Sequence, residues 1–229
     1  MNLLMIAHGT RDPAGARVTE AVAAQVRERL PAGEAALAYA DVRGPTIAEA
    51  LRELPGPAAA VPMFLAAGYH VRVDVPAQIR ACGRSDVLVG QAFGPDPALV
   101  EVAAERLVAA GYRPGDAVVL AVAGSSDPAA VADSAQAARR LGLLLGRPVA
   151  LATIAAGGPR VPEVVAALRA GGARRVAIAS WLLAPGLFQQ RLDACGADVV
   201  GAPIGTHSAV ADLVVARHRA AGEPRVRPA

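Results

Sequence analysis

The 229-residue chain has no lysine and a single asparagine, Asn2. Its positive charge is arginine alone, 23 residues against 20 Asp plus Glu. Aromatic residues make up only 3% of the chain, with one tryptophan, Trp181. There are two cysteines (Cys82, Cys195) and four histidines (His8, His70, His207, His218). Any site using nitrogen or sulfur ligands must come from that short list. Two cysteines do not make a disulfide framework. The net charge of +3 is spread without a basic cluster or interleaved aromatics, which argues against a dedicated nucleic-acid surface. Every apolar run is broken by Asp, Arg, Gly or Pro well before about 18 residues, so no membrane span is expected. The N-terminus lacks a basic segment followed by an apolar one and a cleavage site. The expectation is therefore a cytoplasmic protein without a signal peptide.

What is abundant is apolar: 54% of residues are hydrophobic and 55 are alanine. With so low a net charge, this composition excludes disorder. Apolar runs of about five residues alternate with longer amphipathic stretches. Runs at 3–7, 35–40, 58–64 and 87–89 read as strands. Stretches at 14–30, 46–54, 71–82 and 97–110 read as helices, the first ended by Pro31 and Gly33. The apolar runs do not alternate strictly, which suits strands of a parallel sheet covered by helices on both faces.

The pattern then starts again. HGTRDP (8–13) is matched by AGSSDP (123–128), Gly44-Pro45 by Gly158-Pro159, and Pro62–His70 by Ser180–Phe188. Ala81-Cys82-Gly83 is matched by Ala194-Cys195-Gly196, and Gly94–Leu107 by Gly205–His218. The offset drifts only from 111 to 118. This is a tandem duplication of two similar α/β domains, residues 1–113 and 114–222, followed by a flexible tail at 223–229. The active site is expected in the cleft between them.

Each residue can be compared with its own copy, since a role forced by the fold should appear in both halves. Cys82 and Cys195 are equivalent, each ahead of a helix-stopping Gly, and read as structural. His207 aligns with Asp96 at a helix start and reads as a cap. His218 lies near a helix end, where a histidine meets the helix dipole favourably. Asp12 and Asp127, each followed by Pro, read as helix N-caps. His8 and His70 differ, because their copies are Ala123 and Phe188. Both fall at strand ends, where ligands of parallel sheets bind. A facing pair of imidazoles there can hold a divalent metal or exchange protons near neutral pH. Arg11 and Arg72 lie close by, with Thr10, Asp12 and Asp74, and with helix N-termini they suit an anionic ligand, carboxylates above all. For Arg72 and Asp74, a solvated helix start is an equal reading.

The segments IAHGTRDP (6–13) and PMFLAAGYHVRVDVP (62–76) resemble the two signature motifs of class II chelatases of the CbiX/SirB type. The resemblance covers nearly the whole chain, and the long form of that family is a tandem duplication of two α/β domains. It implies insertion of a divalent metal into sirohydrochlorin, a flat tetrapyrrole rimmed by carboxylates, and no organic cofactor. It implies that His8 and His70 bind the metal and take part in catalysis, with Asp41 as the acidic residue at the end of the second strand. Where members often have an acidic residue between the Arg and Asp of the second motif, this chain has Val73. Only the first half should hold metal, and the second should close the cleft on the macrocycle. Under this resemblance, Phe64, Tyr69, Trp181, Leu187 and Phe188 supply apolar walls. Arg11, Arg43, Arg72, Thr10, Ser125 and Ser126 meet the carboxylates.

The resemblance leaves the metal open between iron, for sirohaem, and cobalt, for the anaerobic cobalamin route, with nickel a further candidate. Iron is the preferred expectation. A metal or tetrapyrrole carrier would use the same residues without turnover. A histidine phosphatase also has His-Gly after its first strand, but needs an Arg before the His, where this chain has Ala7. The expected partner is the small tetrapyrrole, with no nucleic acid and no membrane, and the expected state is a monomer of two pseudo-symmetric halves.

Overall fold

The computed structural model describes residues 1–31 and 34–222. The expected helix stop at Gly33 and the tail at 223–229 lie outside the described residues.

Two four-stranded parallel sheets form the frame. The first contains β1 (Asn2–Ala7), β2 (Ala35–Tyr39), β3 (Ala58–Pro62) and β4 (Val87–Val89), in the order β2-β1-β3-β4. The second contains β5 (Ala117–Gly124), β6 (Val149–Ala156), β7 (Val176–Trp181) and β8 (Val199–Val200), in the order β6-β5-β7-β8. Within the first half run α1 (Pro13–Arg27), α2 (Ile47–Arg52), α3 (Val75–Ala81) and α4 (Pro97–Ala109). Within the second run α5 (Pro128–Leu145), α6 (Val161–Ala170), α7 (Leu187–Asp193) and α8 (Ser208–Gly222). This is the expected α/β architecture, repeated in tandem. Strands β1 and β3 are neighbours, with Met5 opposite Val61. The ends that carry His8 and lead to His70 therefore lie side by side.

Local chemistry accounts for the helix starts. The Asp12 carboxylate accepts the Ala14 N–H at 2.8 Å, and Asp127 accepts that of Ala129 at 2.8 Å. Each satisfies an orphan donor, and Pro at the first helical position loses nothing by lacking one. His207 Nδ1 accepts the Ala209 N–H at 3.2 Å and so caps α8. His218 has a partner other than the helix end: its Nε2 bonds the Met1 carbonyl at 2.9 Å, tying α8 to the start of β1. Both cysteines are free thiols.

Strand residues alternate between two cores. Leu4 and Ile6 face outward against α2 and α3, with Ile47, Leu51, Val75 and Ile79. Leu3 and Met5 face inward into one core shared with Leu120 and Val122 of the second half. The helices that end each half are exchanged across this core, with α4 packing on β7 and α8 on β3. Each inner sheet face is thus partly covered by a helix belonging to the other repeat.

Just past the repeat junction, Asp116 is buried and accepts from the Arg175 guanidinium at 2.9 Å and the Arg113 N–H at 2.9 Å. Burial pushes this carboxyl up, but the Arg113 N–H and the Arg175 side chain outweigh it and hold it below the usual carboxylate range. A depressed folded-state pKa stabilises the fold above the ordinary carboxylate pKa, and the benefit disappears as pH falls through the lowered value. Asp116→Asn is expected to lower stability at neutral pH and to flatten its loss as pH falls below the ordinary carboxylate range. Urea unfolding over that fall in pH checks it, and an unchanged acid slope would contradict it.

Candidate active site

The C-terminal ends of both sheets open into one cleft of about 740 Å³. The end of β1 contributes His8, Gly9 and Thr10, and the loop after β3 contributes Phe64 to His70 apart from Ala67. From the second half come Ser125 and Ser126 after β5, and Trp181 to Phe188 at and after the end of β7. Ligands of parallel sheets bind outside such strand ends, and here two sheets present theirs to one space.

The rings of His8 and His70 meet edge to face, with centroids 4.7 Å apart and planes at 80°. His70 Nδ1 is 3.0 Å from Asp74 Oδ2. The His70 N–H, with the Gln78 amide, holds the Asp74 carboxyl below the usual carboxylate range. An ionised carboxylate only accepts, so Nδ1 is the donor and the Nε2 lone pair is free. His8 Nδ1 lies 3.3 Å from the Gly9 carbonyl, also an acceptor only, which leaves its Nε2 free as well. Gln78 completes the support, its amide donating to Asp74 Oδ1 at 3.1 Å and to the Ala40 carbonyl at 2.9 Å. Phe64 stacks 6.3 Å from His70 and lies 6.1 Å from His8.

Asp74 is therefore a partner of a site histidine rather than only a solvated helix start. Its spacing, four residues after His70, is the available sequence signal, since i and i+4 share a helix face. The helix expected at 71–82 is in fact two pieces. A π-helical turn over His70–Asp74 precedes α3, and π turns often occur at functional positions. In the second half the corresponding segment begins ordinary helix α7 at Leu187.

Thr10, Ser125, Ser126, Phe64, Tyr69, Trp181, Leu187 and Phe188 all line the cleft. Thr10 Oγ1 accepts the Asp12 N–H at 3.1 Å, and Ser125 Oγ accepts the Asp127 N–H at 3.0 Å. Each hydroxyl keeps its own O–H to donate to a ligand. Tyr69 and its repeat copy Leu187 are 62% and 59% exposed, so both halves offer an apolar side chain at the opening. Trp181 is instead buried, and its Nε1–H donates to the Leu65 carbonyl at 3.2 Å.

Four expected residues do not line the cleft: Asp41, Arg11, Arg43 and Arg72. Asp41 is exposed, its N–H donates to the His8 carbonyl at 2.9 Å, and its Oδ1 accepts the Val42 N–H at 2.7 Å. Arg43 lies over the Tyr39 ring at 5.0 Å and pairs with Glu20 at 3.3 Å. Arg72 reaches within 3.7 Å of Asp127, and Arg11 is exposed beside Thr10. The lining contains no Asp, Glu or Arg among the described residues. Its polar groups are histidines, hydroxyls, the indole and backbone.

No helix among the described residues is long and apolar enough to cross a membrane. In comparisons with known proteins, the chain is 25% identical over 201 residues to the sirohydrochlorin ferrochelatase of Priestia megaterium, covering 83% of this chain and 76% of that one. It is 32% identical over 80 residues to the sirohydrochlorin cobaltochelatase of Methanococcoides burtonii, covering 33% of this chain and 61% of that one. Its fold matches that of SirB from Bacillus subtilis with Fe3+, with a TM-score of 0.83, 22% identity and 96% of both chains covered. The CbiX family model matches twice in tandem, over residues 2–110 and again over 117–221. The chain belongs to the CbiX family.

Proposed function

We propose that the protein is a sirohydrochlorin chelatase, placing a divalent metal in the macrocycle as two pyrrole protons leave. The observation that carries this reading is the pair of imidazoles with free Nε2 atoms facing an apolar cleft built by both halves. Among the described residues no third His, Cys, Asp or Glu completes a cluster around one metal. Two protein ligands leave room for pyrrole nitrogens to replace water. A closed four-ligand site would retain the ion.

In this reading His8 and His70 hold the incoming ion, and as it passes to the ring each freed Nε2 accepts one of the two pyrrole protons. Asp41, next to the His8 backbone, passes protons outward. Phe64, Tyr69, Trp181, Leu187 and Phe188 hold the apolar faces of the macrocycle. Thr10, Ser125 and Ser126 donate to its carboxylates. Because the lining lacks arginine, Arg11 and Arg72 meet the outer carboxylates at the rim, each close to a lining residue in sequence. Arg43, occupied by Glu20, contributes there only by exchanging partners. Both walls come from one chain, so the reading needs no second copy, and it includes no organic cofactor and no membrane. Its setting is the cytoplasm.

Ferrous iron is the proposed metal. Imidazole ligands alone do not choose among iron, cobalt and nickel; the support for iron is that the relative aligned over 201 residues is named a ferrochelatase. The test is anaerobic incubation with sirohydrochlorin and Fe2+, Co2+ or Ni2+ in turn, followed by absorbance. The expected result is fastest turnover with Fe2+, with metallated product in excess over protein. Product limited to one equivalent of protein would favour a carrier instead, and faster Co2+ insertion would overturn the choice of metal.

A further inference from the structure

The segment that brings His70 into the cleft is anchored by the half that has no metal-site histidine. Asp133 on α5 accepts the Ala67 N–H through Oδ2 at 2.8 Å. Trp181 at the end of β7 donates to the Leu65 carbonyl at 3.2 Å. Gly68 lies so close to α5 that an added Cβ would be 3.4 Å from Ala130 Cβ and 3.5 Å from Ser125 Oγ. The backbone of 65–68 is thus held at two polar points and one packing point, two residues before His70.

The duplication shows which of these contacts the fold itself requires. In each half the carbonyl at the end of the third strand accepts from the half's own return loop. Phe64 O takes the Phe93 and Gly94 N–H groups, and Leu182 O takes that of Ile204. The next carbonyl differs. Leu183 O accepts the Gly205 N–H from its own half at 2.9 Å, whereas its copy Leu65 O is left for Trp181 of the other half. The copy of Ala67 is Pro185, which has no N–H to offer. The copies of Asp133 and Trp181 are Val18 and Met63, which offer no charge-assisted acceptor and no N–H donor. Two donors, two acceptors and their geometry are therefore present only where a histidine follows.

We infer that Asp133 and Trp181 are positioning residues, a clamp by which the histidine-free half holds the 65–68 backbone so that His70 faces His8. A charge-assisted bond to a backbone N–H is among the stronger hydrogen bonds, and an ionised Asp has no competing donor of its own. The clamp also gives the second repeat a task beyond walling the cleft. Its effect on turnover rests on the chelatase reading, while its effect on the loop does not.

The test compares Asp133→Ala, Asp133→Asn and Trp181→Phe in the full chain. Amide hydrogen exchange over residues 65–72 is the first readout. Exchange there is expected to rise about tenfold in Asp133→Ala and Trp181→Phe, with the rest of the chain unchanged. Asp133→Asn keeps an acceptor oxygen and should restore most of the protection. Co2+ alone is the second readout, followed by its ligand-field absorption. Asp133→Ala is expected to weaken Co2+ binding about tenfold, as loss of an outer support does at metal sites. Steady-state kinetics should show kcat falling, with KM for sirohydrochlorin within about twofold, because the Asp133 side chain does not itself line the cleft. Wild-type exchange over 65–72 in both Asp133→Ala and Trp181→Phe would overturn the clamp, as would a rise spread evenly over the chain. A loosened loop in a protein whose Co2+ spectrum is indifferent to His70→Ala would uphold the clamp and refute the chelatase reading. Should Asp133→Ala fail to fold, the contrast between Asp133→Asn and Trp181→Phe decides the same question.

Discussion

Alanine at His8 or at His70 is expected to cut enzymatic metal insertion by about a thousandfold, within the range for removing a general base or acid. The fold should survive either change. His8 is exposed and its Nδ1 bond to Gly9 is long at 3.3 Å, while His70 gives up one bond, to Asp74. The stability cost of such partly exposed contacts is about 1 kcal/mol or less. Because both rings serve one ion, the effects should not add. The double variant is expected to lose little more than either single one, as in other groups that act as a unit. The measurement is the initial rate of absorbance change with Fe2+ under anaerobic conditions, corrected for the protein-free rate, with a thermal melt alongside. Normal turnover in either single variant would end the assignment of these residues. A double variant slower by the product of the two losses would show that the rings act on separate steps.

The second large effect is structural and falls on the same loop. A Cβ built on Gly94 would lie 1.6 Å from the Leu65 carbonyl oxygen and 2.3 Å from its carbon. Backbone cannot rotate out of the way as a side chain can, so Gly94→Ala must push residue 65 off its seat. Overpacking of this kind costs about 3 kcal/mol, which in a protein of this size lowers Tm by roughly 6–12 °C. The repeat copy provides a built-in control. A Cβ on Gly205 meets nothing closer than 3.6 Å, although its φ of +70° is one that L residues rarely adopt. Gly205→Ala should therefore cost only about 1 kcal/mol of backbone strain. Since Leu65 leads into the His70 segment, Gly94→Ala should also weaken Co2+ binding, and Gly205→Ala should not. Equal melting temperatures for the two variants would show that the close approach at Gly94 is not maintained in solution.

Much of the proposed site is legible in the amino-acid order alone. His8 and His70 stand out because their repeat copies are Ala123 and Phe188, and because both follow apolar runs, at the C-terminal ends of neighbouring strands. The capping roles of Asp12, Asp127 and His207 follow from short-range rules that depend only on neighbours in the chain. Asp74 is harder to read. Its i+4 spacing from His70 is visible, but whether the pair meets depends on a π-helical turn that no propensity announces. The arginines are the least legible. Proximity in sequence to a strand end does not set where a long side chain goes, and Arg43 is drawn to Tyr39 and Glu20 while Arg72 turns toward Asp127.

The repeat and the parallel sheets follow from local patterning, and the scarcity of histidine and cysteine narrows the proposed ligands to His8 and His70. Apolar periodicity and Gly-Pro punctuation depend on near neighbours in the chain, and the two copies report on each other. The exchange of α4 onto the second sheet and α8 onto the first is a matter of packing. Periodicity says that a helix has an apolar face, and two similar sheet faces accept it equally well. The choice between them depends on the relative placement of the halves. The same holds for the scarce aromatics. Five of the seven Phe, Tyr and Trp residues line the cleft. That Trp181 among them spends its indole N–H on the loop of the other half is set by tertiary contact, because a hydrogen bond across 116 residues leaves no mark in the local sequence of either partner.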